Sequence, residues 1–318
     1  MTRPFRFIAP APRLTADPDR WRAELRRIEE LGFSTVSVGD HLSRGWVLEP
    51  ITAMTAAAEA TTRLRVLSLA LANDYRHPVL VHKALATLDV LSGGRVELGI
   101  GAGWMASDYR AAGIAMESAG RRIERLEESI AVLTGLFAPG PFSFAGEHYQ
   151  VEALDGLPEP AQRPRPPLLV GGGGRRILSL AARVADIVGV HCRLGSGVQD
   201  AEAVADLTAD RVAEKVGWVR EAATATGRTA DDIEWQFSVY HCQVSRPGHA
   251  PAQNVSSFAA LMEEAPEVLA DSPAVLVGDV EQCVDLLQER RERYGFSYLN
   301  LGADIESVAP IVARLAGT

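Results

Sequence analysis

Four consecutive glycines and two arginines, Gly171-Gly172-Gly173-Gly174-Arg175-Arg176, are the residues here whose types and spacing most directly suggest a ligand. They follow the apolar run Pro167-Leu168-Leu169-Val170 and precede Ile177, Leu180, Ala181 and Val184 at helical spacing. That order predicts strand, tight loop and helix. Residues without side chains let backbone N–H groups converge on an anion at a helix N-terminus. Two cations in the first turn oppose the helix macrodipole, at about 0.3–1 kcal/mol each, and a bound anionic group removes the conflict. A glycine-rich turn with both arginines in solvent is the competing reading.

Acid–base chemistry has His41 as its leading candidate, because imidazole titrates near neutrality. Asp40 stands next to it. That carboxylate could orient the ring, cap a helix or meet solvent, and His41 could equally be a loop histidine bonded to backbone. His191 and His241 are weaker candidates, each as well suited to a satisfied interior position. Trp46 and Trp104 could wall a flat ring, although tryptophans are often buried without any ligand. With His191 and Arg193 they make up the expected substrate pocket.

These residues fall at regular intervals because one unit repeats: a short apolar strand, a polar or glycine-rich loop, then an amphipathic helix. Strands are expected at 5–9, 35–38, 64–70, 96–100, 168–170, 186–190, 233–239 and 297–301. Helices are expected near 19–31, 51–60, 79–91, 120–136, 176–184, 202–225 and 280–294. Eight successive β/α units predict an α/β fold, a single (βα)8 barrel domain over residues 1–318, with an open doubly wound sheet as the alternative. In a barrel the loops after each strand converge at one mouth, which is where Asp40, His41, Asn73, Gly101, Gly103, Trp104, Gly171–Gly174, His191 and Arg193 fall. Two insertions break the rhythm. One is the loop from Pro139 to Pro167 before strand five, with a hairpin expected at Phe142–Val151. The other is Ser245–Asp279 between strands seven and eight, with a short helix around Val255–Glu264.

Several chemistries are disfavoured. Gly99-Ile100-Gly101-Ala102-Gly103 reads G-x-G-x-G, and no acidic residue ends the next strand as a Rossmann nicotinamide site requires. No H-x-x-x-H, H-E-x-x-H or G-x-S-x-G pattern is present, so neither a metal site nor a serine nucleophile is expected. A net charge of −9 argues against nucleic acid as a partner, and no apolar run is long enough for a membrane span. Three cysteines without a C-x-x-C pair and a start without a signal-type apolar core suit a cytoplasmic enzyme. By elimination, a phosphate-bearing organic redox cofactor is expected.

A family pattern ties the stretches together. They are Val38-Gly39-Asp40-His41, Asn73-Asp74-Tyr75-Arg76-His77-Pro78, Ala84 to Asp89 with Ser92-Gly93-Gly94-Arg95, and Leu98 to Trp104. Further on come Arg122 to Glu128, Gly146-Glu147-His148-Tyr149 and Gln162 to Leu168. In this order they resemble the luciferase-like monooxygenase superfamily, specifically its coenzyme F420 (deazaflavin) dependent oxidoreductases. The resemblance implies a (βα)8 barrel with the deazaflavin ring over the strand ends near Asp40, Ala72, Asn73, Gly101 and Gly103. It places the cofactor phosphate at Gly171–Gly174 with Arg175 or Arg176. It also implies a non-prolyl cis peptide around Ala72-Asn73, proton assistance by His41, and a homodimer. The activity implied is hydride transfer between F420 and a small organic substrate at a C–OH, C=C or C=N group. Relatives often carry a glutamate where this chain has Asp108. An FMNH2-dependent monooxygenase of the same superfamily is the alternative, and a non-catalytic ligand-binding barrel the third reading.

Overall fold

The computed structural model describes residues 3–318 apart from 44, 46, 196, 199, 246–268, 270 and 303. The strands, in chain order, are β1 (Arg6–Pro10), β2 (Thr35–Val38), β3 (Arg65–Ser68), β4 (Leu71–Ala72) and β5 (Val96–Gly101). They continue with β6 (Pro141–Ala145), β7 (Gln150–Asp155), β8 (Leu168–Gly172), β9 (Ile187–Val190), β10 (Glu234–Ser238), β11 (His241–Val244), β12 (Val275–Gly278) and β13 (Phe296–Asn300). The helices are α1 (Pro18–Glu30), α2 (Pro50–Ala60), α3 (Pro78–Ser92), α4 (Ala106–Ala112), α5 (Ala119–Phe137), α6 (Arg175–Val184), α7 (Ala201–Ala205), α8 (Ala209–Ala225), α9 (Val280–Tyr294) and α10 (Ile305–Leu315).

Parallel pairing runs β1-β2-β3-β5-β8-β9-β10-β13 and returns to β1, closing an eight-stranded barrel. The chain is therefore a (βα)8 barrel, and the open-sheet alternative falls. Helix ends follow local chemistry. Asp17 accepts the Asp19 and Arg20 N–H groups ahead of Pro18, and α1 then buries Trp21, Leu25 and Ile28. Asp279 and Gln282 form a reciprocal capping box at the start of α9.

Alternation along each strand sorts side chains into two sets. Outward residues pack under the helices in the main core, while Ile8, Leu67, Leu169, Ile187 and Tyr298 form a separate cluster inside the barrel. At the barrel's N-terminal end, Glu97 is gripped by Arg6, by Arg65 Nε (2.6 Å) and by the Tyr298 hydroxyl (2.5 Å). Burial alone would raise the Glu97 carboxyl; the two guanidiniums more than offset this and hold it below the ordinary carboxylate range. That end is filled by a polar plug.

Four expectations need correction. Strand three is interrupted: β3 ends at Ser68, β4 resumes at Leu71, and the non-prolyl cis bond is Leu69-Ala70, three residues before the expected place. It lies in the break between the two strand segments, whereas Ala72 itself pairs regularly with Gly101. The helix expected over 202–225 is two, because Asp206 turns its carboxylate inward to Lys215 (2.5 Å) and Thr208 restarts the helix. His241 and Cys242 leave the barrel: the Tyr240 and His241 N–H groups both turn to Ala274 O, and β11 pairs with β12 instead. Helices α4 and α10 were not anticipated. The hairpin before strand five is present as β6 and β7. The helix expected around Val255–Glu264 lies outside the described residues.

Candidate active site

Three strand ends gather the expected ring-binding residues. Ala72 of β4 lies beside Gly101 of β5, and the Ala72 N–H donates to Asp40 Oδ2 (2.9 Å) from the loop after β2. Asp40 is buried, and Arg76 clasps it with Nη1 on Oδ2 (2.5 Å) and Nη2 on Oδ1 (3.1 Å). Arg76 also reaches Glu49 Oε1 (2.9 Å). Asn73, one residue beyond Ala72, donates to the Tyr149 hydroxyl (3.2 Å), while its own buried Oδ1 has no hydrogen-bond partner.

His41 takes a different carboxylate from the one beside it in the chain. Its Nδ1 lies 2.8 Å from Asp108 Oδ2, and Asp108 Oδ1 accepts the Ser43 N–H (2.7 Å). The Tyr75 hydroxyl stands 3.5 Å from the same Oδ2. Asp40 and His41, though adjacent in the chain, thus turn to different partners. Trp104 meets the His41 ring edge-on, with centroids 5.5 Å apart. Trp46 lies outside the described residues.

Behind this pair, Gly103 holds a left-handed conformation (φ 76°), and a Cβ there would overlap the Tyr109 hydroxyl. That hydroxyl donates to Asp74 Oδ2 (2.8 Å), whose other oxygen takes Arg125 Nη1 (2.8 Å). Gly103 thus makes room for a buried support of the loop that carries Asn73 to Arg76.

The glycine quartet forms a second cluster. Gly171 pairs with Gly189, and the His191 N–H donates to Gly172 O (3.0 Å). A Cβ on Gly173 would overlap the backbone at Cys192-Arg193, so close chain approach demands glycine there. Gly174 caps α6 with no side-chain hydrogen bond. Arg175 and Arg176 are exposed and turn outward, to Glu221 (2.8 Å) and Glu124 (2.9 Å). Arg193 also approaches the loop, its Cδ 4.0 Å from where a Gly174 Cβ would stand. Asp206 holds that residue through the Arg193 N–H (2.7 Å), and the wholly buried Lys215 ammonium bonds His191 O (2.9 Å) as well as Asp206. His191 itself lies folded over Gly171 and Gly189, and burial depresses its pKa to about 4, with Lys215 adding to the effect and Gln236 opposing it.

The two clusters share one mouth. The Ala106 N–H donates to Gly197 O (3.2 Å), joining the loop after β5 to the loop after β9. Gly101, Gly171 and Gly189 all fall on the inward face of their strands, two residues on from inward-facing Gly99, Leu169 and Ile187. Of the three, Gly101 faces open space, whereas His191 covers Gly171 and His191 with Gln236 covers Gly189. The uncapped helix start belongs to the glycine cluster and the histidine–carboxylate pair to the other.

A family model described as luciferase-like monooxygenase matches residues 5–297. The chain belongs to the luciferase-like monooxygenase family. An FMNH2-dependent dimethylsulfone monooxygenase of Pseudomonas putida is 35% identical over 138 residues, 43% of this chain and 38% of that protein. The match thus spans less than half the length of that relative. An F420-dependent glucose-6-phosphate dehydrogenase of Amycolatopsis mediterranei is 28% identical over 65% of this chain and 60% of its own. Among solved structures, an F420-dependent secondary alcohol dehydrogenase in complex with an F420–acetone adduct superposes with a TM-score of 0.76. It covers 98% of both chains at 16% identity, which shows the fold. This luciferase-like barrel therefore has both flavin- and deazaflavin-dependent enzymes among its relatives.

Sequence reasoning missed Asp108, Tyr75, Ser43 and Arg76 as partners in the site. Asp108 stood out only as a departure from the glutamate of relatives. Nothing in a linear pattern says that a carboxylate 67 positions beyond His41 meets its ring.

Proposed function

We propose that this luciferase-like enzyme transfers hydride between coenzyme F420 and a small organic substrate, with His41 handling the accompanying proton. The observation that carries this reading is the His41–Asp108 pair among loops that surround a glycine-lined mouth. The residues fit a flat, phosphate-bearing cofactor. Gly101 leaves open space at the mouth, and the uncapped start of α6 offers backbone N–H groups to a phosphate. When bound, the deazaflavin supplies the hydride chemistry. The protein's part is to hold the substrate's reacting carbon in place, exclude water and exchange a proton at the His41 ring.

The FMNH2-dependent relative favours a second reading, a reduced-FMN monooxygenase on the same mouth, because a phosphate cradle serves either cofactor. Parallel titrations with F420 and FMN, each oxidised and reduced, separate them. Tight F420 binding with F420-linked turnover supports the first reading; FMN binding alone, with oxygen consumption, overturns it. We also propose a homodimer, since Leu80 and Leu91 of α3 are exposed. Light scattering on the eluted protein reads this directly, and a monomer mass at micromolar concentration removes it.

A further inference from the structure

We propose that Asp108 is the positioning residue of His41: it selects the Nδ1–H tautomer, fixes the direction of the ring, and passes no proton to substrate itself. This rests on the reading of His41 as the proton-handling group.

The commitment of both carboxylate oxygens carries the argument. Oδ2 receives His41 Nδ1 at 2.8 Å and Oδ1 receives the Ser43 N–H at 2.7 Å. Asp108 is completely buried, whereas the His41 side chain keeps 14% exposure. The ring therefore reaches the mouth and the carboxylate does not. A carboxylate facing two N–H donors prefers to stay ionised. Burial would raise the Asp108 carboxyl, yet the Ser43 and His41 contacts hold it below its ordinary range. It is a fixed acceptor.

Neighbouring elements keep that acceptor in place. Met105, immediately before α4, takes the Ser43 hydroxyl on its sulfur (3.3 Å), and Ala106 is tied to Gly197. Ser43 is thus bound twice to the segment that carries Asp108, which fixes the His41 loop against it.

With Nδ1–H directed at a carboxylate, the exchangeable proton resides on Nε2. Delivery of that proton to a substrate heteroatom takes His41 from imidazolium to neutral imidazole, and Asp108 keeps its charge throughout. Among the described residues, the titratable groups near the ring are Asp108, Tyr75 and Asp40. Asp40 is paired with Arg76. Burial and the nearby Asp108 charge push the Tyr75 hydroxyl well above its usual range, so it stays neutral.

The test is histidine 15N NMR on the full-length protein without cofactor, with His41→Ala to assign the ring, beside Asp108→Asn and Asp108→Glu. The expected wild-type signature is the Nδ1–H tautomer. Asp108→Asn should shift the ring toward Nε2–H. The same variant should lose at least about tenfold in turnover, and Asp108→Glu should restore part of both the tautomer and the rate. A wild-type Nε2–H tautomer overturns the proposal without any variant, and so does a tautomer unmoved by Asp108→Asn. Normal turnover by His41→Ala overturns the underlying reading of His41 instead, in a different variant and a different assay.

Discussion

Arg76 holds both oxygens of the Asp40 carboxylate, and one of those oxygens also takes the Ala72 N–H. A single buried acid thereby ties the loop after β2, the end of β4 and the turn leading into α3. Three parts of the mouth share one electrostatic anchor.

Removing that anchor leaves the largely covered Arg76 guanidinium with Glu49 alone. Asp40→Ala should destabilise the protein by about 2–4 kcal/mol, because breaking a buried pair costs more than the pair contributed. Arg76→Ala should cost at least as much, since it leaves the more deeply buried Asp40 carboxylate without a cation. Urea denaturation reads both, and a clearly smaller loss for Arg76→Ala would contradict the assignment.

Gly103 and Tyr109 are coupled by space. Gly103→Ala puts a methyl on the Tyr109 hydroxyl and forces a left-handed alanine, for about 2 kcal/mol or more of lost stability. Tyr109→Phe alone sacrifices the bond to Asp74. In the double variant the overlap with the hydroxyl is gone and Cζ at 3.1 Å becomes the nearest atom, so the double variant should lose less than the sum of the two single losses. A double-mutant cycle by thermal unfolding measures this, and strict additivity is the failing result.

His191 predicts a stability that falls on acidification. Its folded pKa is depressed to about 4 while an unfolded histidine titrates near 6.5, so the unfolded state binds the extra proton between those values. Stability is therefore highest above about pH 6.5, declines as pH falls toward 4, and suffers no further loss from this group below that. His82 and His241 are shifted in the same direction by burial. His191→Gln should flatten part of the slope between pH 6.5 and 4 in denaturation series. An unchanged slope would mean that the ring is solvated enough to titrate normally.

Cation placement at the glycine loop gives a binding prediction. Arg175 and Arg176 pair with surface glutamates, whereas Arg193, its Nε 3.6 Å from Asp206, lies against Gly174. Arg193→Ala should weaken binding of the phosphate-bearing cofactor about tenfold, equivalent to roughly 1.4 kcal/mol. Arg175→Ala and Arg176→Ala should each change it by less than about twofold, as expected for exposed pairs. Fluorescence titration of the three variants decides it. A larger loss at Arg175 or Arg176 would restore the expectation drawn from their place in the sequence.

What the sequence determined was everything with a local period. Alternating and apolar strand runs, helix punctuation and eight β/α repeats pointed to the barrel, while closure itself is decided by the pairing of β1 with β13 and β3 with β5. The mouth was legible too: loops after parallel strands converge whatever they contain. Tertiary structure alone decided the partnerships. Asp40 beside His41 suggested a pair, but the fold commits Asp40 to Ala72 and Arg76 and brings Asp108 to the ring instead. Arg175 and Arg176 beside the glycines suggested an anion clamp, but α6 carries them outward and Arg193 arrives from another strand. Neighbours in sequence share a backbone, and side-chain direction, set by the fold, chooses what each one touches.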